Sequence, residues 1–200
     1  GTMRKVTDNG KILALGWKPT TSLKTGLEKS YEWDGIVCEP NSAYNTRLKK
    51  FRDCIIVHEC VFAESGKTVE FLEVDEPYLS TIKGFGNNDE HGLKRKHNNA
   101  TEVTTISLFD LLEKYNAPNK VDYLSVDTEG SELEILKSFF NNPNNEKYDI
   151  KYITVEQNYL PTSEIKIETG TKEDYITPEA REITKILVAN GYKKVYESVS

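Results

Sequence analysis

The stretch VDYLSVDTEGSELEILKSF, residues Val121–Phe139, carries the pattern that decides the fold class. It begins with a run of mostly apolar, aromatic or small residues, which is typical of a strand buried on both faces of a parallel sheet. Asp127 ends this run, Gly130 permits a turn, and apolar residues at helical spacing follow. The stretch therefore predicts a central strand over Val121–Val126, then an acidic turn, then a helix.

Two features of this turn bear on function. Ser131 and Glu134 have the S-x-x-E spacing of a capping box, which predicts that the helix begins directly after the turn. In an open α/β sheet the carboxyl ends of the strands border the ligand crevice. Asp127 and Glu129 are therefore predicted to lie at a site, although both are also compatible with ordinary solvated turn acids.

Strand and helix patterns alternate along most of the chain. Further strands are predicted over Gly35–Glu39, Cys54–Val57 and Ile150–Glu156, and acids end three of the predicted strands, at Glu39, Asp127 and Glu156. Repeated strand–helix units with polar strand ends predict a doubly wound, mostly parallel α/β sheet with its site along one edge. The sequence VFAESGKTVEFLEV, residues 61–74, adds a predicted β-hairpin after the third strand.

Glu39-Pro40-Asn41 is the candidate ribose-binding group. An acid at the end of the second strand can accept both hydroxyls of a nucleoside ribose, because a carboxylate offers two acceptor oxygens. The alternative is an acid that belongs to a helix start, but Asn41 or Ser42 already serves there as N-cap, which favours the ribose role for Glu39.

A second candidate cofactor segment precedes it. Lys11–Leu15 is a short apolar run followed by Gly16 and Trp17, and a strand that enters a glycine turn can present backbone N–H groups to a nucleotide. Leu15, Gly16 and Trp17 are therefore predicted to contact the cofactor. The signal is weak, because there is one glycine and Pro19 lacks an N–H donor.

The region from Leu79 to Ala100 is predicted to be irregular, with three glycines and the basic run Lys94–His97. A connection of this length fits either a lid that brings His91 or His97 to the site or a plain solvated loop.

The overall composition limits the class of protein. The chain has 200 residues, 29% of them charged, and a net charge of −6, which fits one domain over residues 3–200 and argues against nucleic acid as the main partner. Gly1 and Thr2 are interpreted as a cloning remnant. No run is apolar enough to cross a membrane, and three cysteines without C-x-x-C spacing predict reduced thiols in a cytoplasmic protein.

The motifs WDGIVCEPN, VFAESGKTVEF, TTISLFDLLEKYNAPNKVDYLSVDTEGSELEILKSF and IKYITVEQN resemble those of the FkbM-type S-adenosylmethionine-dependent methyltransferases. The resemblance covers about Lys11 to Tyr196. It implies a Rossmann-like methyltransferase fold, S-adenosylmethionine as cofactor, and O-methylation of a sugar or a similar small-molecule hydroxyl. It also implies that Glu39 holds the ribose and that Asp127 faces cofactor and substrate.

The chain departs from the family's D/E-x-G-A-N-x-G motif at Ala14–Thr20, where the acid, the asparagine and the second glycine are replaced. This keeps a second hypothesis open, a noncatalytic methyltransferase-fold module that binds a ligand or partner. A dinucleotide-dependent oxidoreductase is disfavoured, because G-x-G-x-x-G is absent.

Asp127 is the main candidate for orienting or deprotonating the acceptor hydroxyl, since a carboxylate can accept that proton as the bond forms. Glu129 and Glu156 are further catalytic candidates. Carboxylates this close could instead bind a divalent cation, but no metal is expected.

Overall fold

The computed structural model of the protein describes residues 20–22, 24–26, 29, 33–85, 95, 98–157 and 177–194. The chain divides into two compact units, Gly1–Asp34 and Gly35–Ser200, and every element below belongs to the second. The strand predicted over Lys11–Leu15 lies outside the described residues. The single domain predicted over residues 3–200 stays a prediction.

The second unit is a mixed α/β structure. Its strands are β1 (Ile36–Cys38), β2 (Ile55–Val57), β3 (Cys60–Phe62), β4 (Thr68–Val74), β5 (Thr81–Ile82), β6 (Asn98–Ser107), β7 (Lys120–Val126) and β8 (Asp149–Val155). Its α-helices are α1 (Asn45–Phe51), α2 (Leu108–Lys114), α3 (Glu132–Asn141) and α4 (Pro178–Ala189). Short 3-10 turns lie at Ser42–Tyr44, Pro77–Leu79 and Asn145–Lys147.

The strands in the described residues pair in three sheets. β1 pairs with β2 and β7 with β8, both in parallel, and a four-stranded sheet has the order β3-β6-β4-β5. Within the latter, β3 is parallel to β6, whereas β4 is antiparallel to both β6 and β5. The parallel pairs fit the α/β class predicted from the sequence, and the antiparallel pairs make the fold mixed.

The predicted hairpin of residues 61–74 is not formed. Its two strands lie on opposite sides of β6, so they do not pair with each other. The intervening turn wraps around Thr105 of β6 instead: Gly66 N donates to Thr105 O at 2.8 Å, Thr105 N donates to Lys67 O at 2.8 Å, and Thr105 Oγ1 donates to Glu64 O at 2.6 Å. The predicted turn is present, but a strand more distant in sequence satisfies the backbone groups that a hairpin would have used.

Strand β7 is buried on one face only, contrary to the prediction of burial on both. Val126 is 5% exposed and packs in the main core, whereas Tyr123 and its neighbour Tyr152 on β8 are 43% and 56% exposed. On the open face Tyr123 and Thr154 share a hydrogen bond of 2.7 Å between their hydroxyl oxygens, and Thr154 Oγ1 donates to Ser125 Oγ. The tyrosine and serine that looked compatible with a buried run thus form a polar surface.

The main core joins the parallel strands to the helices. Ile135, Leu136 and Phe139 of α3 are at most 2% exposed and pack with Val57, Val126 and residues of α2 and α4. Helix α2 begins at a capping serine, since Ser107 Oγ accepts from Asp110 N. The core therefore attaches β7, with the acidic turn at its end, to the end of β2.

The predicted capping box at Ser131 and Glu134 is absent. Ser131 is the N-cap of α3, but its side chain makes no capping bond and donates to Thr128 Oγ1 instead, at 2.8 Å. Glu132, the first residue of α3, instead accepts hydrogen bonds from the preceding turn, as described below.

The three cysteines, Cys38, Cys54 and Cys60, are free thiols. Burial raises the pKa of Cys38 and of Cys60 to about 12, so neither forms a thiolate at neutral pH. Within the described ranges, none of the helices is long and apolar enough to pass through a bilayer.

Candidate functional site

The acidic turn after β7 brings together the three carboxylates predicted as catalytic. One carboxylate oxygen from each of Asp127, Glu129 and Glu156 lies within 4.8 Å of the others. Asp127 is exposed, and the other two are half-buried. Parallel pairing of β7 with β8 places both strand ends at the same edge, since Glu156 N donates to Val126 O at 3.0 Å. The sequence prediction that strand-end acids converge is confirmed for this pair of strands.

A buried glutamate holds the turn in shape. Glu132 is 4% exposed, and its Oε1 accepts from Thr128 N at 2.6 Å and from Thr128 Oγ1 at 2.8 Å. Gly130 N reaches both oxygens of the same carboxylate, at 3.3 and 3.1 Å. The Glu132 carboxylate thus accepts hydrogen bonds from three donor groups of the turn, and these bonds hold the backbone of the turn in place. Sequence reasoning missed Glu132, although a second acid three residues after Glu129 was a usable signal.

Glu129 has an unusual backbone conformation and a buried ionic partner. Its φ is 59°, in the left-handed region that side-chain-bearing residues seldom adopt. Arg95 Nη2 lies 2.5 Å from Glu129 Oε2, and their side chains are 3% and 14% exposed. Thr81 Oγ1 donates to the Glu129 carbonyl at 2.9 Å. Several contacts thus hold a strained residue in place, which is how backbone strain persists at functional turns.

Glu39, the predicted ribose-binding acid, directly follows β1. Its backbone N donates to Val57 O at 2.9 Å, and its Oε1 accepts from Asn41 N at 2.8 Å. Burial raises the pKa of this carboxyl above its usual range; the Asn41 N–H opposes that rise, and the charge of Glu73 adds to it. The strand end therefore presents a partly desolvated acid with acceptor capacity left on both oxygens.

Asn41 has a structural task that the sequence did not reveal. It is 2% exposed, and its Oδ1 caps the Ser42–Tyr44 turn by accepting from Ala43 N at 2.9 Å. Its Nδ2 donates to Ser80 Oγ at 2.8 Å and to Pro77 O at 3.3 Å. Since each of these polar atoms is already bonded, Asn41 acts as a brace, and the predicted N-cap is confirmed. Pro40, between it and Glu39, is half-buried.

The segment Pro77–Thr81 joins the two acidic strand ends. Asn41 bonds to it from the β1 side, while Arg95 Nε donates to Leu79 O at 2.8 Å and Thr81 bonds to Glu129 from the β7 side. Tyr78, in the middle of this segment, is 60% exposed. Its pKa is raised by a hydrogen bond to Glu76 and further by nearby charge, including that of Glu129 and Tyr44. The first part of the predicted lid is therefore an ordered connector of the site.

Five predicted site residues lie outside the described residues. They are Leu15, Gly16 and Trp17 of the first cofactor segment, and His91 and His97 of the predicted lid. Their roles stay predictions.

The arrangement offers acceptor oxygens rather than a nucleophile. Three carboxylates converge after β7 and β8, one of them balanced by the Arg95 guanidinium, and a fourth stands at the end of β1. Such a site can accept protons and hydrogen bonds from hydroxyl groups at the end of β1 and at the end of β7. The segment Pro77–Thr81 connects these two strand ends.

A comparison with family models places this arrangement in a known class. The model of the methyltransferase FkbM domain matches residues 19–194, so the chain belongs to the FkbM methyltransferase family. The resemblance that the sequence motifs indicated is thereby confirmed. No solved structure matches the chain.

The curated relatives match a short segment. A putative GDP-L-fucose synthase 2 of Arabidopsis thaliana is 54% identical over 33 residues, which are 16% of this chain and 10% of that protein. A probable GDP-L-fucose synthase 1 of Oryza sativa subsp. japonica is 52% identical over 33 residues, with the same coverage. The chain thus spans about a tenth of the length of these relatives.

Proposed function

We propose that this chain is an S-adenosylmethionine-dependent methyltransferase that transfers a methyl group to a hydroxyl of a sugar or similar small molecule. The observation that carries the proposal is the pair of acidic strand ends, at Glu39 and at Asp127, connected through Pro77–Thr81 in a chain of the FkbM family.

Glu39 suits the ribose of the cofactor. A vicinal diol presents two O–H donors, and the carboxylate still offers Oε2 together with one lone pair of Oε1 beside the Asn41 bond. The raised pKa of Glu39 reflects a partly dry setting, where a hydrogen bond to a charged acceptor is stronger than in water. The structure therefore fits the group, and S-adenosylmethionine, when bound, would supply the activated methyl.

Asp127 is the acid that we propose for the acceptor. It is exposed, whereas Glu129 next to it is engaged by Arg95 and Glu132 is engaged by the turn. Of the acids in the turn it is the one with room to orient a hydroxyl and accept its proton as the new C–O bond forms. Glu156 is the neighbouring carboxylate that would share this proton.

The acceptor is proposed to be a sugar. The short likeness to plant enzymes named for GDP-L-fucose synthesis makes L-fucose the first sugar to test. We extend the proposal to the fold: the parallel pairs β1-β2 and β7-β8, connected through helices, suit a doubly wound Rossmann-like arrangement.

The test has two parts. Calorimetry measures S-adenosylhomocysteine binding to the wild type, to Glu39→Gln and to the matched control Glu146→Gln, an exposed position of the Asn145–Lys147 turn. Glu39→Gln should weaken binding about 10- to 150-fold, because charge-assisted hydrogen bonds are lost. The control should bind like the wild type. No binding by the wild type at millimolar ligand would contradict the proposal and favour the noncatalytic module.

The second part measures methyl transfer from labelled S-adenosylmethionine to a sugar panel. Asp127→Asn should bind cofactor like the wild type but lower transfer about 10²–10⁴-fold, since the amide cannot accept a proton. Wild-type turnover by this variant would remove Asp127 from the chemistry.

A further inference from the structure

A polar cavity lies beside the β1 strand end. It is an open cavity of about 400 Å³, bordered by the turn after Asn41, the end of β4 with the residue that follows it, and the first residues of β6. A volume of this size is within the range of small-molecule sites. Most such sites are lined mainly by apolar side chains, but here amides and carboxylates form most of the wall.

Several of these groups are available to a ligand. Asp75 and Asn99 make no side-chain hydrogen bond or ion pair within the part of the chain that the structure describes. Glu73 uses its Oε1 to accept from Ser42 N at 3.1 Å, and Asn98 uses its Nδ2 to donate to Arg95 O at 2.8 Å. The wall thus combines carboxylate acceptors with an amide that can both donate and accept.

The charge of the cavity narrows the choice of ligand. Glu73 and Asp75 are acidic, and no lysine, arginine or histidine is among the described lining residues. A phosphate would meet the like charge of Glu73 and Asp75, which is unfavourable. A neutral ring with several hydroxyls would instead donate to the carboxylates and exchange hydrogen bonds with the amide.

Hydrogen bonds connect the wall of the cavity to the acidic turn after β7. Asn41 forms part of its wall and bonds to the connector Pro77–Thr81, whose other side bonds to Glu129 and Arg95. Asn98, also in the wall, bonds to the Arg95 carbonyl. A ligand held in the cavity would therefore be held relative to the proposed methyl-transfer site.

We infer that this cavity binds a neutral glycosyl residue of the acceptor, through Asp75, Asn99 and Glu73, and that it discriminates against phosphorylated sugars. The inference rests on the proposed function, which it deepens by naming the substrate class: neutral glycosides rather than sugar phosphates.

Ligand-observed saturation-transfer NMR on the full chain tests this without any turnover. The probes are the methyl glycosides of L-fucose, D-glucose and D-mannose, and the corresponding 1-phosphates. At least one neutral glycoside should bind saturably in the millimolar range, and its phosphate should bind more weakly. Asp75→Asn should weaken the glycoside about tenfold or more, because a charged acceptor is lost. Asn99→Leu, an independent variant, should weaken it as well.

The matched control is Asp122→Asn, which removes one negative charge from an exposed position of β7. It should leave glycoside binding unchanged, and circular dichroism should show all three variants folded. The inference is overturned if no glycoside binds, if the phosphates bind as well as the glycosides, or if both cavity variants bind like the wild type. It is also overturned if Asp75→Asn weakens S-adenosylhomocysteine while sparing the glycoside. Glycoside binding without any cofactor binding would instead contradict the proposed methyltransferase activity while still supporting the assignment of the cavity.

Discussion

The ends of β1 and β7 both carry an acid, but their surroundings differ. At the end of β7, Glu129 is paired with a nearly buried arginine and Glu132 accepts from three donor groups of the turn. At the end of β1, Glu39 accepts from one backbone N–H and lies near the like charge of Glu73, and its pKa is raised by burial. One strand end compensates its negative charge internally, while the other keeps an under-compensated acid.

This difference separates acids that stabilise the fold from acids that still have free hydrogen-bond acceptor positions. Glu129 and Glu132 fix the shape of a turn in which Asp127 stays exposed, whereas Glu39 costs the fold some stability and retains acceptor positions. Groups that are poorly compensated in the native state often mark binding sites, because the ligand supplies what the protein lacks. The difference between the two strand ends can be tested by removing a charge at either one and measuring the stability of the variant.

The largest effect on stability is expected for Arg95→Met. The variant keeps an apolar stem but leaves the Glu129 carboxylate, 14% exposed, without its guanidinium partner. Breaking a buried ion pair on one side typically costs about 3–5 kcal/mol. The measurement is the free energy of unfolding from denaturant titration.

The matched control for this change is Lys83→Met, which breaks an ion pair with Glu70 whose side chains are 59% and 44% exposed. It should cost at most about 1 kcal/mol, because water already solvates both charges. The double variant Arg95→Met with Glu129→Gln should recover much of the loss, since no buried charge is left unpaired. If Arg95→Met costs no more than the control, the β7 turn is not internally compensated and the comparison fails.

A smaller loss is expected for Glu132→Gln. The amide keeps one acceptor oxygen but presents an NH₂ group to the Gly130 N–H or the Thr128 N–H, both of which are donors. An unsatisfied buried donor costs about 1–3 kcal/mol. The control is Glu134→Gln, two residues further along the same helix. Its side chain is 44% exposed, so the substitution should change stability little. Equal effects of the two substitutions would show that Glu132 does not organise the turn.

How much of this could be predicted from the sequence depends on the range of the interactions. The β7–turn–α3 unit, the Ser107 cap and the convergence of Asp127 with Glu156 follow from local patterns and from the geometry of parallel strands. The pairing of β6 between β3 and β4 does not, because the Glu64–Lys67 turn signals a reversal without naming its partner strand.

The roles of individual site residues were hidden for the same reason. The sequence predicts Asn41 as a cofactor contact, yet its amide is bonded to Ser80 and Pro77, more than 30 residues away in sequence. Arg95 belongs to a basic run for which the sequence fits either a lid or a solvated loop, and its burial depends on Leu79 and Glu129. Long-range partners of polar side chains leave no local pattern, so the acidic residues could be found but their neutralising partners could not.

The smallest effect on stability is expected for Glu39→Gln at the end of β1, and it is a gain rather than a loss. Burial raises the folded-state pKa of Glu39 above its unfolded value, so the folded protein holds this proton more tightly. The stability linked to the group is therefore fully present below the unfolded pKa and is lost as pH rises through the folded pKa. Glu39→Gln keeps an acceptor for Asn41 N and has no charge to desolvate.

Glu39→Gln should consequently match the wild type in stability at acidic pH and become slightly more stable as the pH rises to neutrality. Thermal melts across that pH range measure the difference, with Glu146→Gln as a control that should show no such trend. A loss of stability at neutral pH would mean that Glu39 is compensated like the acids after β7. A gain in stability combined with weaker S-adenosylhomocysteine binding would show that the fold tolerates an unfavourable charge at the position where the proposed ligand needs it.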